Sequence, residues 1–410
     1  MLSYTKLLAL KRFFWILMVL VISSFLYFSF QSPKHFANDA QLFRKKRLMV
    51  GAERLDLYFD SLVNKRVAIV GNQTSVIGKT HLVDTLINLG IPIQKVFSPE
   101  HGFRGQADNG EKVDNELDEK TGVDVISLYG NNRKPTAQQL KDVDIVVFDI
   151  QDVGVRFYTY ISTLHYIIEA CAENNVQLIV LDRPNPNGHY IDGPVLDIKN
   201  KSFIGMHPVP IVYGMTIGEY ASMINNECWT TCPKPCDLFV VPCANYSHTT
   251  KYSLPVAPSP NLRSDLAVAL YPSLCLFEGT TVSIGRGTEQ PFEIFGHPRF
   301  PETDFQFKPV SSFGSKKPTN ENKICFGYNL KSIGEFKNNQ LNIEWVLKAR
   351  TLLGDSSVFI DQPSFFDRLA GNSEFRKQVM ANKTDTEIRK TWEEDLHHFK
   401  LIRRKYLIYN

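Results

Sequence analysis

The sequence predicts an α/β fold, in which a parallel β-sheet covered by helices on both faces is followed by a smaller α/β domain. Three observations predict this fold. Short apolar runs alternate with segments of helical periodicity between residues 66 and 243. The runs are rich in β-branched residues, as buried parallel strands are. Polar residues cluster directly after the runs, at the edge where such sheets bind ligands.

The elements follow one another in the order that a doubly covered sheet requires. The run RVAIVGN is predicted as the first strand, and THLVDTLINLG has helical spacing and ends in glycine. The further strands are predicted at 93–99, 124–130, 144–150, 177–183 and 237–243, and the helices at 80–90, 136–142, 158–172 and 216–227. This alternation is typical of a Rossmann-like domain, which we assign to residues 61–255.

A second domain is predicted from residue 256 to residue 410. Residues 244–262 lack periodicity and hold three prolines, so we expect them to cross to this domain. Its closing segment places Ile388, Trp392, Leu396 and Phe399 at helical spacing, which predicts one long C-terminal helix with a buried face. Residues 35–60 are predicted to be a polar linker that runs into a first helix.

The N-terminus carries a candidate export signal. Lys6, Lys11 and Arg12 precede an apolar run from Phe13 to Phe30. A basic head followed by an apolar run is typical of a secretory signal or a signal anchor, and this run is at the lower limit for spanning a bilayer. We expect residues 1–34 to direct export, with residues 13–30 either removed or kept as an inner-membrane anchor. The protein would then act in the periplasm and touch the membrane only through this segment.

Composition argues against several partners and sites. The net charge is only +3 and no basic stripe is interleaved with aromatics, so we expect no nucleic-acid partner. Seven cysteines are too few for a disulfide scaffold. The four that cluster have wider spacings than structural zinc sites use, which leaves one disulfide or buried thiols as the alternatives; they are Cys228, Cys232, Cys236 and Cys243.

Cofactor motifs are incomplete. The segment GNQTSVIG after the first strand lacks the middle glycine of a dinucleotide-binding turn, and Gly78-Lys79-Thr80 lacks the glycine that a phosphate-binding loop places five positions earlier. No G-x-S-x-G elbow provides a serine nucleophile. No metal-binding spacing surrounds Glu100, His101 and Asp149. We therefore predict neither a cofactor nor a metal.

The loop SPEHGFRGQADNGEKV, residues 98–113, concentrates charge among three glycines. A solvated turn is one interpretation, but the loop follows a predicted strand at the ligand-binding edge. Glycoside hydrolysis needs two carboxyl groups, one to protonate the leaving oxygen and one to act as base or nucleophile. Glu100 and Glu111 lie on this loop, and the second domain offers Glu278, Glu289 and Glu293. The residues alone do not select the pair.

Several long motifs resemble the NamZ-type exo-β-N-acetylmuramidases, a family of glycoside hydrolases. They are SPEHGFRG with GEKV, FDIQDVGVRFYTYIST, LDRPNPNG and YPSLCLFEGT with GRGTEQPFE, within a resemblance that covers roughly residues 50–410. The resemblance implies release of N-acetylmuramic acid from the non-reducing end of peptidoglycan fragments, in a cleft between the Rossmann-like and the smaller domain. It implies that Glu100 is the catalytic acid and Glu111 the second carboxylate.

The substrate class implied by this resemblance suggests further binding residues. Muramic acid carries a lactyl carboxylate, which an arginine can bind through two hydrogen bonds. The candidates for this role are Arg104, Arg156, Arg183 and Arg286. Sugar hydroxyls and rings would be bound by the remaining candidates, which are Asn72, His101, Asp152, Tyr158, Asn185, Asn187 and Glu278. The expected partners are peptidoglycan-derived muropeptides or disaccharides, and the alternative is a muropeptide-binding protein without catalysis.

Overall fold

The computed structural model describes Trp15 and residues 47–410, except 101, 106–115, 131, 333–338 and 355. Residues 48–410 form one compact unit. The predicted export segment apart from Trp15, together with His101 and Glu111, lies outside the described residues. None of the described helices is long and apolar enough to cross a membrane. Part of the predicted linker 35–60 is described. There the backbone of Met49 exchanges two hydrogen bonds with Ala244, which follows the last strand of the large sheet.

A seven-stranded sheet is the framework of the described residues. The strands before the smaller domain are β1 (Val67–Gly71), β2 (Val76–Ile77), β3 (Thr80–His81), β4 (Ile93–Ser98), β5 (Glu116–Leu117), β6 (Asp124–Ser127), β7 (Ile145–Asp149), β8 (Gln177–Leu181) and β9 (Leu238–Val241). The order in the sheet is β5-β6-β4-β1-β7-β8-β9, and all neighbours pair in parallel except β5, which is antiparallel to β6. The short β2–β3 hairpin and β5 are strands that the sequence did not predict.

Strand β1 shows why the central strands are apolar throughout. Its side chains alternate between the two faces, and both faces are buried. Val67 and Ile69 join the core on one face, while Ala68 and Val70 join the core on the other. The predicted α/β fold with a parallel sheet is therefore confirmed.

Helices cover both faces of the sheet. The α-helices are α1 (Phe59–Leu62), α2 (Leu82–Asn88), α3 (Ala137–Leu140), α4 (Tyr160–Asn174), α5 (Ile217–Asn226), α6 (Asp265–Leu274), α7 (Glu344–Leu353), α8 (Pro363–Ala370), α9 (Glu374–Met380), α10 (Asp385–Lys390) and α11 (Glu393–Arg403). The first face carries α1 and α2, and the second carries α3, α4 and α5 together with the C-terminal part of the chain, which shares that core. Short 3₁₀ turns occur at Gly51–Glu53, Leu55–Leu57, Ile198–Asn200, Cys275–Gly279, Ser356–Val358 and Arg404–Tyr406.

The smaller second domain is built on an antiparallel sheet of β10 (Ile294–His297), β12 (Cys325–Asn329) and β11 (Gln306–Phe307). The prediction of one long closing helix was wrong. Helix α10 ends at Lys390 and α11 starts at Glu393, because Trp392 leaves the helical conformation at φ −118° and ψ 4°. The break lets the indole pack in the core, 6.0 Å from the ring of Phe375.

A buried histidine pair packs against the second face of the sheet. His165 Nδ1 lies 2.9 Å from His207 Nε2, and His207 Nδ1 lies 3.0 Å from the Tyr220 hydroxyl. Burial lowers the pKa of His165 to about 4, and it holds the pKa of His207 well below the usual value. Both imidazoles are therefore neutral near pH 7.

All seven cysteines are free thiols, five of them buried. The cluster of four cysteines, for which the sequence left one disulfide as an alternative, therefore contains no disulfide in this structure. Burial raises the pKa of the Cys243 thiol well above its ordinary value, so this side chain behaves as a small apolar group with a weak donor.

Candidate active site

A partly enclosed cavity of about 310 Å³ lies at the carboxyl-terminal edge of the sheet. Its wall is contributed by the loops after β4 and β6, by the start of α4, and by α6 and the segments that follow it. It is thus lined from both the Rossmann-like domain and the smaller domain. The lining includes Glu100, Tyr129, Arg133, Phe157, Tyr158, Thr159, Tyr160, Phe203, Tyr271, Cys275, Glu278, Arg286, Phe292 and Phe365.

Glu100 reaches the cavity from the end of β4 and is half-buried. The Thr159 hydroxyl donates to its Oε2 at 3.1 Å. The Tyr129 hydroxyl is its second hydrogen-bonding partner, and burial together with the Glu100 carboxylate raises the pKa of Tyr129 to about 12. Tyr129 is therefore a neutral phenol that donates to the carboxylate. The two hydroxyls fix the orientation of the carboxyl group at the cavity wall.

Glu278 is the other described carboxylate that lines the cavity, and it is bound to Arg286. Arg286 Nε lies 2.8 Å from Glu278 Oε1, and Nη2 binds the same oxygen. The Cys275 thiol contacts Oε2 at 3.6 Å, and the guanidinium lies 4.9 Å from the centre of the Phe292 ring. The charge of Arg286 is thus offset by its own neighbour before any ligand binds.

Aromatic side chains make up much of the remaining wall. Tyr158 and Tyr160 stand edge to face at 4.8 Å, and both hydroxyls donate to the Pro258 carbonyl. Tyr271 packs edge-on against Phe157 and Tyr158 at 5.4 and 5.9 Å. With their hydroxyl groups held by a backbone acceptor, the two tyrosines present apolar ring surface, which suits a ligand such as a pyranose ring.

Three of the four arginines predicted to bind a carboxylate do not line the cavity. Arg104 forms an ion pair with Asp118 at 2.8 Å, and Arg183 forms one with Asp149 at 2.6 Å. Arg156 is fully buried and donates to three backbone carbonyls. The donors named here are committed to the protein, although the buried Nε of Arg156 makes no hydrogen bond with the described residues. Contact of these arginines with a substrate stays a prediction. Arg286 does line the cavity.

The predicted amides are buried and make hydrogen bonds within the protein. Asn72 Oδ1 accepts from the backbone of Thr74 at 2.9 Å. Asn185 donates to the Met215 carbonyl and Asn187 to the Val153 carbonyl, at 2.8 and 2.9 Å. All three amides are buried and hold turns after the strands. The amides themselves do not line the cavity.

Asp152 is also buried behind the cavity wall. Its Oδ2 accepts from the backbone N–H of Gly154 at 2.7 Å and from the Tyr213 hydroxyl. Burial raises the pKa of Asp152 to about 6. The acid therefore holds the loop that leads to Phe157 and Tyr158.

The other acids of the smaller domain do not face Glu100. The Glu289 side chain is 99% exposed, and Glu293 accepts from the Ser264 hydroxyl. Neither lines the cavity. Among the described residues, no group of three or more candidate ligands is arranged to hold a metal ion.

Sequence reasoning assigned no role to Tyr129, Arg133 or Thr159, which the structure places in the cavity wall. Tyr129 lies at the end of the third predicted strand and Arg133 follows it, and this end lies on the ligand-binding edge. Thr159 precedes α4 directly, at the N-cap position. For Tyr129 and Arg133, this position at a strand end is the signal in the sequence that points to them.

Two family models together match most of the chain, from residue 67 to residue 409. The N-terminal model of the exo-β-N-acetylmuramidase NamZ matches residues 67–266, and the C-terminal model of the same enzyme matches residues 269–409. The peptidoglycan β-N-acetylmuramidase NamZ of Bacillus subtilis is 37% identical over 393 residues, which cover 90% of this chain and 93% of that protein.

Two crystal structures of DUF1343 family proteins from Bacteroides fragilis share the fold. The first is 44% identical with a TM-score of 0.81, and the second is 29% identical with a TM-score of 0.76. Each alignment covers 89% of this chain and 99% of the other chain.

Proposed function

The chain belongs to the exo-β-N-acetylmuramidase NamZ family, and we propose that it releases N-acetylmuramic acid from the non-reducing end of peptidoglycan fragments, at the β-1,4 bond to N-acetylglucosamine. The observation that best supports this function is the position of Glu100. Its carboxyl group lies at a cavity with an aromatic wall and is oriented by two hydroxyl groups. This is an arrangement that can deliver a proton to a glycosidic oxygen.

Glu100 is the general acid of this proposal. The bond from the anomeric carbon to the leaving oxygen breaks as the Glu100 carboxyl group protonates that oxygen, and N-acetylglucosamine departs as an alcohol. Water supplies the hydroxyl group that the anomeric carbon of N-acetylmuramic acid gains, and the remaining proton of that water returns the catalytic carboxyl groups to their starting state. Thr159 and Tyr129 hold the carboxyl group in place during the transfer. A positioned acid of this kind contributes roughly 10²- to 10⁴-fold to the rate.

The second catalytic carboxylate is assigned to Glu111, as the resemblance implied, and Glu278 to sugar binding. Glu278 lines the cavity beside Arg286, where its carboxylate can accept a hydrogen bond from a sugar hydroxyl or an acetamido N–H. Glu111 follows Glu100 on the same loop, eleven positions along the chain.

The role of Glu100 as general acid is tested with two substrates that differ in their leaving group. The nitrophenolate of a nitrophenyl β-N-acetylmuramide can leave without being protonated. The N-acetylglucosamine of the disaccharide N-acetylmuramyl-β-1,4-N-acetylglucosamine must receive a proton to leave. We expect Glu100→Gln to lose roughly 10²- to 10⁴-fold in kcat on the disaccharide and much less on the aryl glycoside. Equal losses on both substrates would show that Glu100 is not the acid.

Glu289→Gln is the matched control, because it makes the same chemical change on an exposed carboxylate outside the cavity. It should retain full activity on both substrates. If the unaltered protein binds the disaccharide saturably and releases no N-acetylmuramic acid, the hydrolase proposal fails and a muropeptide-binding protein replaces it.

We also propose that the protein acts outside the cytoplasm, in the periplasm, which is where a peptidoglycan-derived substrate would be met. The basic residues before the apolar run from Phe13 to Phe30 support export. Digestion of spheroplasts by an added protease tests this proposal. A full-length protein that is protected until the inner membrane is broken would contradict it.

A further inference from the structure

The proposed function requires the cavity to distinguish N-acetylmuramic acid from N-acetylglucosamine. The two sugars differ by one lactyl ether, which carries a carboxylate. A site that prefers the first sugar therefore needs a cation that is not already neutralised by the protein. Among the described residues that line the cavity, the cationic side chains are Arg133 and Arg286.

Arg286 is poorly suited to bind a further anion. Two of its nitrogens are bound to Glu278 Oε1, and its ring contact with Phe292 covers one face. A second carboxylate at this site would have to compete with Glu278 or approach it, and like charges at short range repel each other.

Arg133 differs from Arg286 because its guanidinium is not bound to a carboxylate of the described residues. Its Nε donates to the Gly130 carbonyl at 3.0 Å, and its guanidinium lies 4.4 Å over the ring of Phe203. Within the described part of the chain, no carboxylate is paired with it, and neither Nη1 nor Nη2 makes a hydrogen bond. An arginine held by one bond and one ring contact has already lost part of its freedom, so it loses less on binding a ligand.

The ring under Arg133 is itself supported. Phe203 stacks on Tyr166 of α4, with a centroid distance of 6.4 Å and an interplanar angle of 15°. Arg133 also lies close enough to Tyr129 for its charge to act on that phenol, which is the partner of Glu100. The guanidinium is thus placed near the proposed acid, as a group that binds the same sugar residue must be.

We infer that Arg133 binds the lactyl carboxylate of N-acetylmuramic acid through Nη1 and Nη2, and that it determines the preference of the cavity for this sugar. This inference rests on the proposed function. Planar recognition of a carboxylate by two parallel N–H groups gives both charge complementarity and orientation. Arg133 is a specificity residue in this role, and it takes no part in proton transfer.

The test compares two substrates that differ only in this charge, the nitrophenyl β-N-acetylmuramide and its lactyl carboxamide. We expect Arg133→Gln to lose roughly 10- to 100-fold in kcat/KM on the carboxylate form and little on the carboxamide. Arg133→Lys should fall between, because lysine restores the charge without the planar pair of donors. Arg404→Gln, at an exposed position outside this cavity, should match the unaltered protein on both substrates.

Equal losses on the two substrates, or no loss on the carboxylate form, would overturn the role of Arg133. Calorimetry separates this failure from a failure of the hydrolase proposal. If the unaltered protein hydrolyses neither substrate, binding of N-acetylmuramic acid and of N-acetylglucosamine is measured instead. The inference is supported if the unaltered protein binds N-acetylmuramic acid more tightly than N-acetylglucosamine and Arg133→Gln loses this difference. Equal binding of the two sugars by the unaltered protein overturns it.

Discussion

Replacing Arg183 by methionine tests whether this arginine is a structural residue or a ligand contact. Its Nε lies 2.6 Å from Asp149 Oδ1 and its Nη2 lies 2.8 Å from Oδ2, so the pair is bidentate. The two side chains are only 2% and 0% exposed. Nη2 also donates to the Val76 carbonyl at 3.1 Å, which ties the hairpin after β1 to the end of β8. The substitution removes all three bonds and leaves the carboxylate buried.

The expected cost follows from the burial of Asp149. Removing one partner of a buried ion pair costs about 3–5 kcal/mol, because the remaining charge keeps its desolvation penalty and loses its compensation. Unfolding entropy is about 2.1 cal/mol/K per residue, so a loss of 4 kcal/mol over residues 48–410 lowers Tm by roughly 5 °C. We expect this fall in thermal unfolding of Arg183→Met, followed by circular dichroism.

The chain offers a matched control in the pair of Arg66 and Asp144. Its geometry is similar, with Nη2 at 2.8 Å and Nε at 3.2 Å from the two carboxylate oxygens, but the side chains are 48% and 34% exposed. Arg66→Met should therefore shift Tm far less than Arg183→Met, because water replaces the lost partner. The double variant Arg183→Met with Asp149→Leu should recover most of the loss.

One result would refute this reasoning about Arg183. If Arg183→Met unfolds at the same temperature as the unaltered protein and only KM rises, the guanidinium is a substrate contact and its pairing with Asp149 contributes little to the fold. An equal fall in Tm for Arg66→Met and Arg183→Met would show that burial does not decide the cost.

Three further predictions test the site and the core. Thr159→Val should lower kcat about tenfold with little change in KM, because the proposed acid loses one orienting hydrogen bond, and Thr159→Ser should restore it. His165 has a lowered pKa, so the folded state resists protonation and its stability falls as pH decreases from about 6.5 to about 4. The difference in Tm between the unaltered protein and His165→Gln should therefore shrink over that range, and a constant difference would contradict the neutral pair. Gly371→Ala should cost more stability in urea unfolding than Gly354→Ala: both have positive φ, at 90° and 69°, but only the first would place a Cβ 2.5 Å from Arg156 Nη2. Equal costs would show that the guanidinium moves aside freely.

The sheet and its rim were predictable because they depend on local patterns. Strands buried on both faces must be continuously apolar, and this pattern located β1, β4, β6, β7, β8 and β9 to within a few residues. The connection rules for parallel strands then put the residues after those strands on one edge. These rules alone place Glu100 and Tyr129 on the rim.

The partners of the charged residues were not predictable in the same way. Arg183 pairs with a residue 34 positions away, and Arg156 donates to the Leu369 carbonyl across 213 positions. The sequence shows that arginines occur near the rim, but it does not show which of them are neutralised by the fold. Arg104, Arg156 and Arg183 were therefore as plausible as Arg286, and no motif singled out Arg133.

The partners of Glu100 and Glu278 also separate their roles. A general acid must hold a proton in one state and a charge in the next, so its neighbours must tolerate both. A hydroxyl such as that of Thr159 can donate to a carboxylate and can accept from a carboxylic acid. Arg286 can only donate, so Glu278 Oε1 has to remain an acceptor throughout the cycle. Of these two cavity carboxyl groups, the pairing therefore favours Glu100 as the group that releases the proton and Glu278 as a group that receives hydrogen bonds from the sugar.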